Sequence, residues 1–153
     1  AAHHVPEDAR CVADWGSGGG LPGLVWASVF PEKRLLLCER RGKRSAFLED
    51  AAFRLGLFNV EVLDGQAEEC LRDEGEVDVI VARAVEAPAK LLARLRRNKV
   101  RFGALLLMAG PRWLDDWENL KPELRKSWAL SAQHSYSLPG ERGKRYLVAL
   151  KPA

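Results

Sequence analysis

The sequence predicts an α/β domain whose sheet is mostly parallel and ends in an antiparallel hairpin. Short apolar runs alternate along the chain with longer segments in which apolar residues recur at helical spacing. This alternation is typical of parallel strands joined by helices that cover both faces of a sheet. The last two apolar runs are instead joined by a short turn, which suits antiparallel neighbours.

Five strands are predicted before the hairpin, each as a short run dominated by apolar residues. Such runs are typical of strands that are covered on both faces. The five lie at residues 11–14, 34–38, 59–63, 77–82 and 102–108. The two hairpin strands lie at residues 127–138 and 145–150, on either side of a turn at 139–143.

Helices are predicted between the strands, and proline and glycine mark their ends. Pro22 fits a first helical turn, because the N–H that proline lacks has no partner there, and Pro31 stops the same helix. A second helix closes near Gly56. The predicted helices lie at residues 21–30, 43–57, 88–97 and 113–126.

The bulk composition is that of an ordinary globular protein, with 153 residues of which 47% are hydrophobic and 29% are charged. The apolar runs are far shorter than the roughly 20 residues of a membrane-spanning helix, and the start of the chain lacks a signal-peptide pattern. We therefore expect no membrane association. The expected organisation is a short lead at residues 1–10 and a single domain at residues 11–153.

Three widely spaced cysteines, Cys11, Cys38 and Cys70, do not form a disulfide framework. No CxxC pair and no Cys/His ligand set occurs, so no metal site is expected. A reducing cytoplasm is the expected location.

Half of the 24 lysines and arginines lie in three short stretches. Such clusters attract polyanions such as RNA, although solvated helix ends and turns can have the same composition. We call the first basic cluster Arg40, Arg41, Lys43 and Arg44, the second Arg94, Arg96, Arg97, Lys99 and Arg101, and the third Arg142, Lys144 and Arg145. The RNA-binding candidates are Arg40, Arg41, Lys43, Arg44, Arg96, Arg97, Arg142, Lys144 and Arg145.

A glycine-rich loop follows the first predicted strand. Such a loop lets the backbone approach a ligand closely and offers helix N-terminal N–H groups to it. Two cofactor patterns match here. Gly18-x-Gly20-x-x-Gly23 fits the dinucleotide pattern, and Asp14-x-Gly16-x-Gly18-x-Gly20 fits the acid-led loop of S-adenosylmethionine enzymes.

The charge of Asp14 separates these two interpretations. A dinucleotide places a pyrophosphate on the loop, and one pair of like charges about 4 Å apart at an effective dielectric near 20 costs roughly 4 kcal/mol. S-adenosylmethionine instead brings a cationic sulfonium and an ammonium group. Asp14 therefore favours the methyl donor, and the predicted fold is that of a Rossmann-like S-adenosylmethionine-dependent methyltransferase.

Glu39 supports the same cofactor. It directly follows the second predicted strand, whose end lies beside the ribose of a nucleotide-like ligand in this topology. A carboxylate there can accept hydrogen bonds from both ribose hydroxyls. The alternative is a surface acid paired with Arg40 or Arg41.

The stretch Asp-Trp-Gly-Ser-Gly-Gly-Gly-Leu-Pro-Gly-Leu at residues 14–24 resembles the signature D-x-G-[ST]-G-x-G-L-P-G-[IL] of the RsmG (GidB) family. Members of that family are bacterial methyltransferases of small-subunit (16S) ribosomal RNA. The resemblance covers residues 11–151 in order. It continues through Gly42-Lys43-Arg44-x-x-Phe47-Leu48, Ala67-Glu68-Glu69, Arg83-Ala84-Val85 and Gly140-Glu141-Arg142.

The resemblance implies methyl transfer from S-adenosylmethionine to N7 of a guanine in ribosomal RNA or the small ribosomal subunit. It also implies that Ala67 and Glu68 lie beside the adenine and that Arg83 lies near the reacting end, where it could place the substrate. A structural ion pair of Arg83 with Glu86 or Asp78 is the alternative. The expected cofactor-binding residues are Asp14, Gly16, Gly18, Gly20, Leu21, Glu39, Ala67, Glu68 and Arg83.

No catalytic acid or base is expected for this chemistry. N7 of guanine has a free lone pair and no proton to lose, so proximity and orientation of the two substrates suffice. The three histidines, His3, His4 and His134, are therefore expected to be non-catalytic.

The sequence departs from the family pattern in three places. Gln66 stands where the family usually has Arg, Ala109 stands where it usually has Lys, and the helical segment that usually precedes the first strand is not expected in residues 1–10. These departures leave a second hypothesis, an inactive S-adenosylmethionine-binding module for RNA interaction or regulation.

Overall fold

The computed structural model of the chain describes residues 2–83, 86–140 and 143–153. Its strands alternate with helices along the chain and join in one sheet. Every predicted strand occurs, with ends that differ by one or two residues. Within the described residues the seven strands are β1 Cys11–Trp15, β2 Arg34–Glu39, β3 Val60–Asp64, β4 Glu76–Arg83, β5 Arg101–Ala109, β6 Trp128–Tyr136 and β7 Arg145–Pro152.

The strands are ordered β3-β2-β1-β4-β5-β7-β6 across the sheet. Neighbours from β3 to β5 are parallel, whereas β7 is antiparallel to both β5 and β6. This confirms the predicted parallel sheet with a C-terminal antiparallel hairpin. Because β2 and β4 lie on opposite sides of β1, a crevice is expected at the carboxyl ends of β1 and β4, where ligands bind in such sheets.

The first three predicted helices occur, with ends that differ by at most three residues. They correspond to α1, α2 and α4 of the structure. Across the described residues the helices are α1 Gly23–Val29, α2 Gly42–Arg54, α3 Ala67–Glu74, α4 Pro88–Arg97, α5 Trp113–Glu118 and α6 Pro122–Arg125, after a short 3₁₀ turn at Ala2–His4.

The prediction of one helix over residues 113–126 is wrong, because α5 ends at Glu118 and α6 begins at Pro122. Proline lacks an N–H, and its ring clashes with the preceding helical turn, so Pro122 starts a helix instead of continuing one. Helix α3 was not predicted. Within its eight residues only Ala67 and Leu71 are buried, which leaves too few apolar positions to show a helical period.

The core lies on both faces of the sheet, as the apolar strands predicted. In β4, Ile80 packs in a cluster with Leu92 of α4, whereas the adjacent Val79 packs with Trp26 of α1. Both β4 side chains are fully buried. Successive strand residues thus contact opposite helical layers, which fixes the position of the strand ends.

Two tryptophans of α5 belong to this core. Trp113 and Trp117 are 1% and 6% exposed, and their rings stack with centroids 5.3 Å apart. Four residues separate them, so they share one helix face. Both side chains therefore pack in the core and are not available to stack on bases.

Among the helices of the described residues, none has both the length and the apolar character that crossing a membrane requires. The same residues contain no group of three His, Cys, Asp or Glu side chains arranged to hold a metal ion.

A buried lysine fastens the residues that precede β1. Lys33 is 4% exposed, and its ammonium donates to the carbonyl oxygens of Glu7 at 2.8 Å and Ala9 at 2.7 Å. A buried ammonium is tolerated only where such acceptors replace water. Lys33, directly before β2, therefore determines the path by which the chain enters β1.

Lys33→Met keeps most of the apolar part of the side chain and removes the ammonium group with its three N–H donors. Because hydrogen bonds from a charged donor are stronger than neutral ones, we expect a loss of roughly 1.5–3 kcal/mol in the free energy of unfolding. Chemical denaturation measures it, with the exposed Lys126→Met as the matched control. Equal stability of the two variants would contradict the role given to Lys33.

Candidate active site

A cavity of about 460 Å³ opens at the carboxyl ends of β1, β2 and β3. Its volume is in the usual range for pockets that bind a small ligand or cofactor. It lies at the carboxyl edge of the sheet, where ligands bind in such folds, and extends from β1 toward β2 and β3. The lining residues are Trp15, Gly16, Cys38, Glu39, Arg40, Arg41, Arg44, Gly65, Gln66, Ala67, Glu68, Glu86 and Arg94.

The glycine-rich loop after β1 forms one side of this cavity. Gly16, Gly18 and Gly20 have φ of +74°, +56° and +86°, a left-handed region that glycine adopts without steric cost. The N–H groups of Gly16 and Ser17 donate to the carbonyl oxygen of Cys38 at 2.9 and 3.0 Å. The loop is therefore fastened to the end of β2.

Asp14 lies behind the loop and does not line the cavity. The side chain is buried, and Oδ2 accepts a hydrogen bond from the N–H of Gly23 at 3.0 Å. Burial raises the pKa of this carboxyl from its ordinary value of 3.8 to about 6, although the Gly23 N–H and the charge of Arg83 favour the ionised form. The acid thus fixes the start of α1 and is separated from the cavity by the loop.

The contact with Asp14 also explains the glycine at position 23. A Cβ on Gly23 would lie 2.6 Å from Oδ2 of Asp14 and would meet the side chain of Leu37 as well. Only glycine lets the chain approach the acid closely enough for the hydrogen bond. The glycine of the Leu-Pro-Gly sequence at 21–23 therefore has a packing reason that the sequence alone did not reveal.

Glu39 both lines the cavity and holds the loop. It is 5% exposed; Oε2 accepts from the N–H of Gly18 at 3.0 Å, and Oε1 accepts from the N–H of Arg41 at 2.9 Å. These bonds go to backbone groups, not to the guanidinium groups of Arg40 or Arg41. The carboxylate therefore joins the glycine loop to the N-terminus of α2.

The N-terminus of α3 forms the opposite side of the cavity. Gln66 precedes the helix, Ala67 is buried, and Glu68 lies in the first turn. Oε1 of Glu68 is 3.8 Å from Arg94, and Oε2 is buried without a hydrogen-bond partner among the described residues. A buried acceptor of this kind suits a ligand that carries an N–H donor.

Arg83 lies at the end of β4, beside the cavity. Its Nε donates to the carbonyl oxygen of Leu21 at 3.0 Å, and both side chains are exposed. The acids considered as alternative partners are engaged elsewhere: Glu86 with Arg94, and Asp78 with the N–H of Arg10 and of the next residue.

The structure thus sorts the expected cofactor-binding residues into three groups. Gly16, Glu39, Ala67 and Glu68 line the cavity. Leu21 and Arg83 lie beside it, whereas Asp14, Gly18 and Gly20 shape the loop without lining it. Lining residues that sequence reasoning did not assign to the cofactor are Trp15, Cys38, Arg40, Arg41, Arg44, Gly65, Gln66, Glu86 and Arg94.

Burial limits what two of these lining residues, Trp15 and Cys38, can do in the cavity. Trp15 lines the cavity, but it is 2% exposed and belongs to the core cluster, so its side chain packs mainly in the interior. Burial strongly raises the pKa of the Cys38 thiol, so this cysteine is a poor nucleophile.

The three basic clusters lie in different places. Arg40, Arg41 and Arg44 line the cavity. Helix α4 runs from the cavity edge of the sheet to the opposite edge, where β5 begins. Its last residues, Arg96 and Arg97, are exposed and do not line the cavity, and Nη1 of Arg96 donates to the carbonyl oxygen of Glu123 at 3.1 Å. In the third cluster, Lys144 precedes β7 and Arg145 begins it at the carboxyl edge of β5, and Arg142 lies outside the described residues.

The strand order, the glycine loop after β1 and the acid at the end of β2 define the class of Rossmann-like S-adenosylmethionine-dependent methyltransferases. TrmN from Thermus thermophilus has a similar fold, with a TM-score of 0.72 and 22% identity over 95% of this chain and 44% of that chain. TrmK from M. capricolum in complex with S-adenosyl-homocysteine has a TM-score of 0.75 and 10% identity over 99% and 65%.

The chain belongs to the GidB family, rRNA small subunit methyltransferase G, whose model matches residues 1–147. The "Ribosomal RNA small subunit methyltransferase G" of Marinobacter nauticus is 37% identical, over 92% of this chain and 63% of that protein. The protein of that name from Halorhodospira halophila is 35% identical, over 95% and 67%. The resemblance predicted from the motifs is confirmed, and the chain spans about two thirds of the length of such relatives.

Asp14→Asn offers an amide oxygen to the Gly23 N–H and removes the titrating group. Protonation of Asp14 stabilises the folded wild type below about pH 4, and this stabilisation is lost as pH rises through about 6. Between pH 4 and pH 7 we expect the unfolding free energy of the wild type to fall relative to the variant by about 2–3 kcal/mol.

Urea denaturation at the two pH values measures this difference. Asp8→Asn, at an exposed position, is the control and should follow the wild type. If Asp14→Asn and the wild type have the same pH dependence, Asp14 does not titrate in the way described.

Proposed function

We propose that the chain is the methyl-transferring domain of an enzyme that moves a methyl group from S-adenosylmethionine to N7 of a guanine in small-subunit ribosomal RNA. The cavity between the glycine loop and the first turn of α3, at the switch point of the sheet, is the observation that carries this proposal. Family membership supports the choice of substrate. A cytoplasmic location follows from that substrate.

The described residues fit S-adenosylmethionine. Glu39 presents a buried carboxylate where ribose hydroxyls would lie, and Glu68 keeps a buried oxygen free for a donor such as the adenine amino group. Gly16 leaves backbone exposed on the cavity side of the loop. When bound, the cofactor supplies a methyl group on a positively charged sulfur, which the negative charge of Asp14 behind the loop favours.

The residues around the cavity then act by placing the two reactants. N7 of guanine needs no base, so the reaction does not require the carboxylates of the cavity wall to move a proton. Arg83, beside the loop, is the candidate that orients the guanine or its phosphate, through charge-assisted hydrogen bonds.

The hypothesis of an inactive module rests on Gln66 and Ala109. Ala109 is 5% exposed, at the end of β5, and Gln66 lines the cavity. Arg40, Arg41 and Arg44 supply positive charge to the same cavity from α2 and the loop before it. These three supply positive charge that Gln66 and Ala109 do not, and membership of a methyltransferase family supports the active enzyme over the inactive module.

Methyl transfer tests the proposal directly. Small ribosomal subunits and 16S RNA that lack N7-methylguanine are incubated with the protein and labelled S-adenosylmethionine, and the labelled base is identified after digestion. We expect label in N7-methylguanine, and its loss in Glu39→Ala, since that carboxylate holds the loop and faces the cavity. Glu49→Ala, on the exposed face of α2, is the matched control. Tight donor binding without transfer to either RNA substrate would establish the inactive module instead.

RNA binding should depend on the first basic cluster more than on the second. In Arg40→Ala/Arg44→Ala the loss of two cavity-side cations should weaken RNA binding and reduce its salt slope by about two, because each phosphate contact releases roughly one counterion. Arg96→Ala/Arg97→Ala, at the opposite edge, removes the same charge and serves as the control. Equal slopes for the two variants, measured from 50 to 200 mM salt, would show that location relative to the cavity does not matter.

A further inference from the structure

A bridge of three charged residues forms one wall of the cavity. Arg94, in the last turn of α4, has Nε 3.8 Å from Oε1 of Glu68 and Nη2 3.4 Å from Oε2 of Glu86. All three residues line the cavity. A single guanidinium thus joins the first turn of α3 to the residues that lead into α4.

The two acids depend on this arginine. The side chains of Glu68 and Glu86 are 13% and 15% exposed, and each has one oxygen buried without a hydrogen-bond partner among the described residues. Carboxylates that lose water need an opposite charge, and two of them in one wall repel each other without it. Arg94 supplies that charge, so it also determines where the Glu68 carboxylate points.

Arg94 differs from its neighbours in the second basic cluster. Its side chain is 34% exposed and faces the cavity, whereas Arg96 and Arg97 are exposed and lie beyond the cavity lining. Arg94 follows Leu91 by three residues and therefore shares the buried side of α4. The charge of Arg94 is used inside the protein and is not free to contact a phosphate.

We propose that Arg94 is a positioning residue of the cofactor site, which holds Glu68 in place for S-adenosylmethionine with Glu86 as its second anchor. The inference rests on the proposed cofactor. The guanidinium acts through Glu68, so it affects the affinity for the donor and not the transfer step. It makes no contribution to RNA binding.

Donor binding by calorimetry tests the bridge in the wild type, Arg94→Ala, Arg94→Lys, Glu86→Gln and the matched control Arg97→Ala. Because removal of Arg94 leaves two poorly solvated carboxylates together, we expect Arg94→Ala to weaken binding of S-adenosylmethionine about tenfold. S-adenosylhomocysteine, which lacks the sulfonium charge, should lose affinity by the same factor. Glu86→Gln should weaken binding in the same direction, Arg94→Lys should recover part of the loss, and Arg97→Ala should bind as the wild type does.

Two further readouts separate positioning from a general loss of structure. In methyl transfer, Arg94→Ala should raise the KM for the donor and leave kcat unchanged at saturating donor. RNA affinity without donor should match that of the wild type. If Arg94→Ala does not fold, its thermal transition will show this. In that case Glu86→Gln, which removes one charge of the bridge without changing the size of the side chain, is used to test the proposal.

The proposal is overturned if the folded Arg94→Ala or Glu86→Gln protein binds the donor within twofold of the wild type. It is also overturned if Arg94→Ala loses RNA affinity as Arg40→Ala/Arg44→Ala is expected to. A wild type that binds the donor but transfers no methyl group refutes the proposed function alone, whereas a wild type that binds no donor refutes both.

Discussion

The site depends on how tightly the turn between β1 and α1 is held. Two buried acids accept N–H groups of that turn: Asp14 from Gly23, and Glu39 from Gly18. The carbonyl of Cys38 accepts two more. A run of glycines has many accessible conformations, and these bonds select one of them before any ligand arrives. The conformational cost of forming the cofactor surface is therefore met during folding and not during binding.

The fold could be predicted from the sequence wherever buried residues form an apolar run or recur with a helical period. Parallel strands covered on both faces are nearly continuous apolar runs, so all of them were found. Helix α3 was missed because it buries only Ala67 and Leu71, and a polar segment of eight residues has no visible period. The break before Pro122 was missed because the apolar residues on both sides of it kept a helical spacing.

The site could be predicted for residues whose location in the fold follows from their position in the chain. Residues just after strands fall at the carboxyl edge of a parallel sheet, and Gly16, Glu39 and Glu68 do line the cavity. What could not be predicted is the direction of a side chain. Asp14, predicted as a cofactor-binding residue, directs Oδ2 to the N–H of Gly23 at the start of α1, and Arg94 belongs to a basic stretch that looks solvated until α4 is packed on the sheet.

The close contact between Asp14 and Gly23 has a consequence for how this sequence can change over time. Any side chain at position 23 collides with the acid, and loss of the acid leaves an N–H in the interior without its acceptor. Loss of the acid does not make room at position 23, because Leu37 still blocks a side chain there, so each replacement is harmful whether or not the other has occurred. Descendants that abandon the pair must pass through a damaged intermediate, a barrier that keeps the motif in place even where catalysis is no longer under selection.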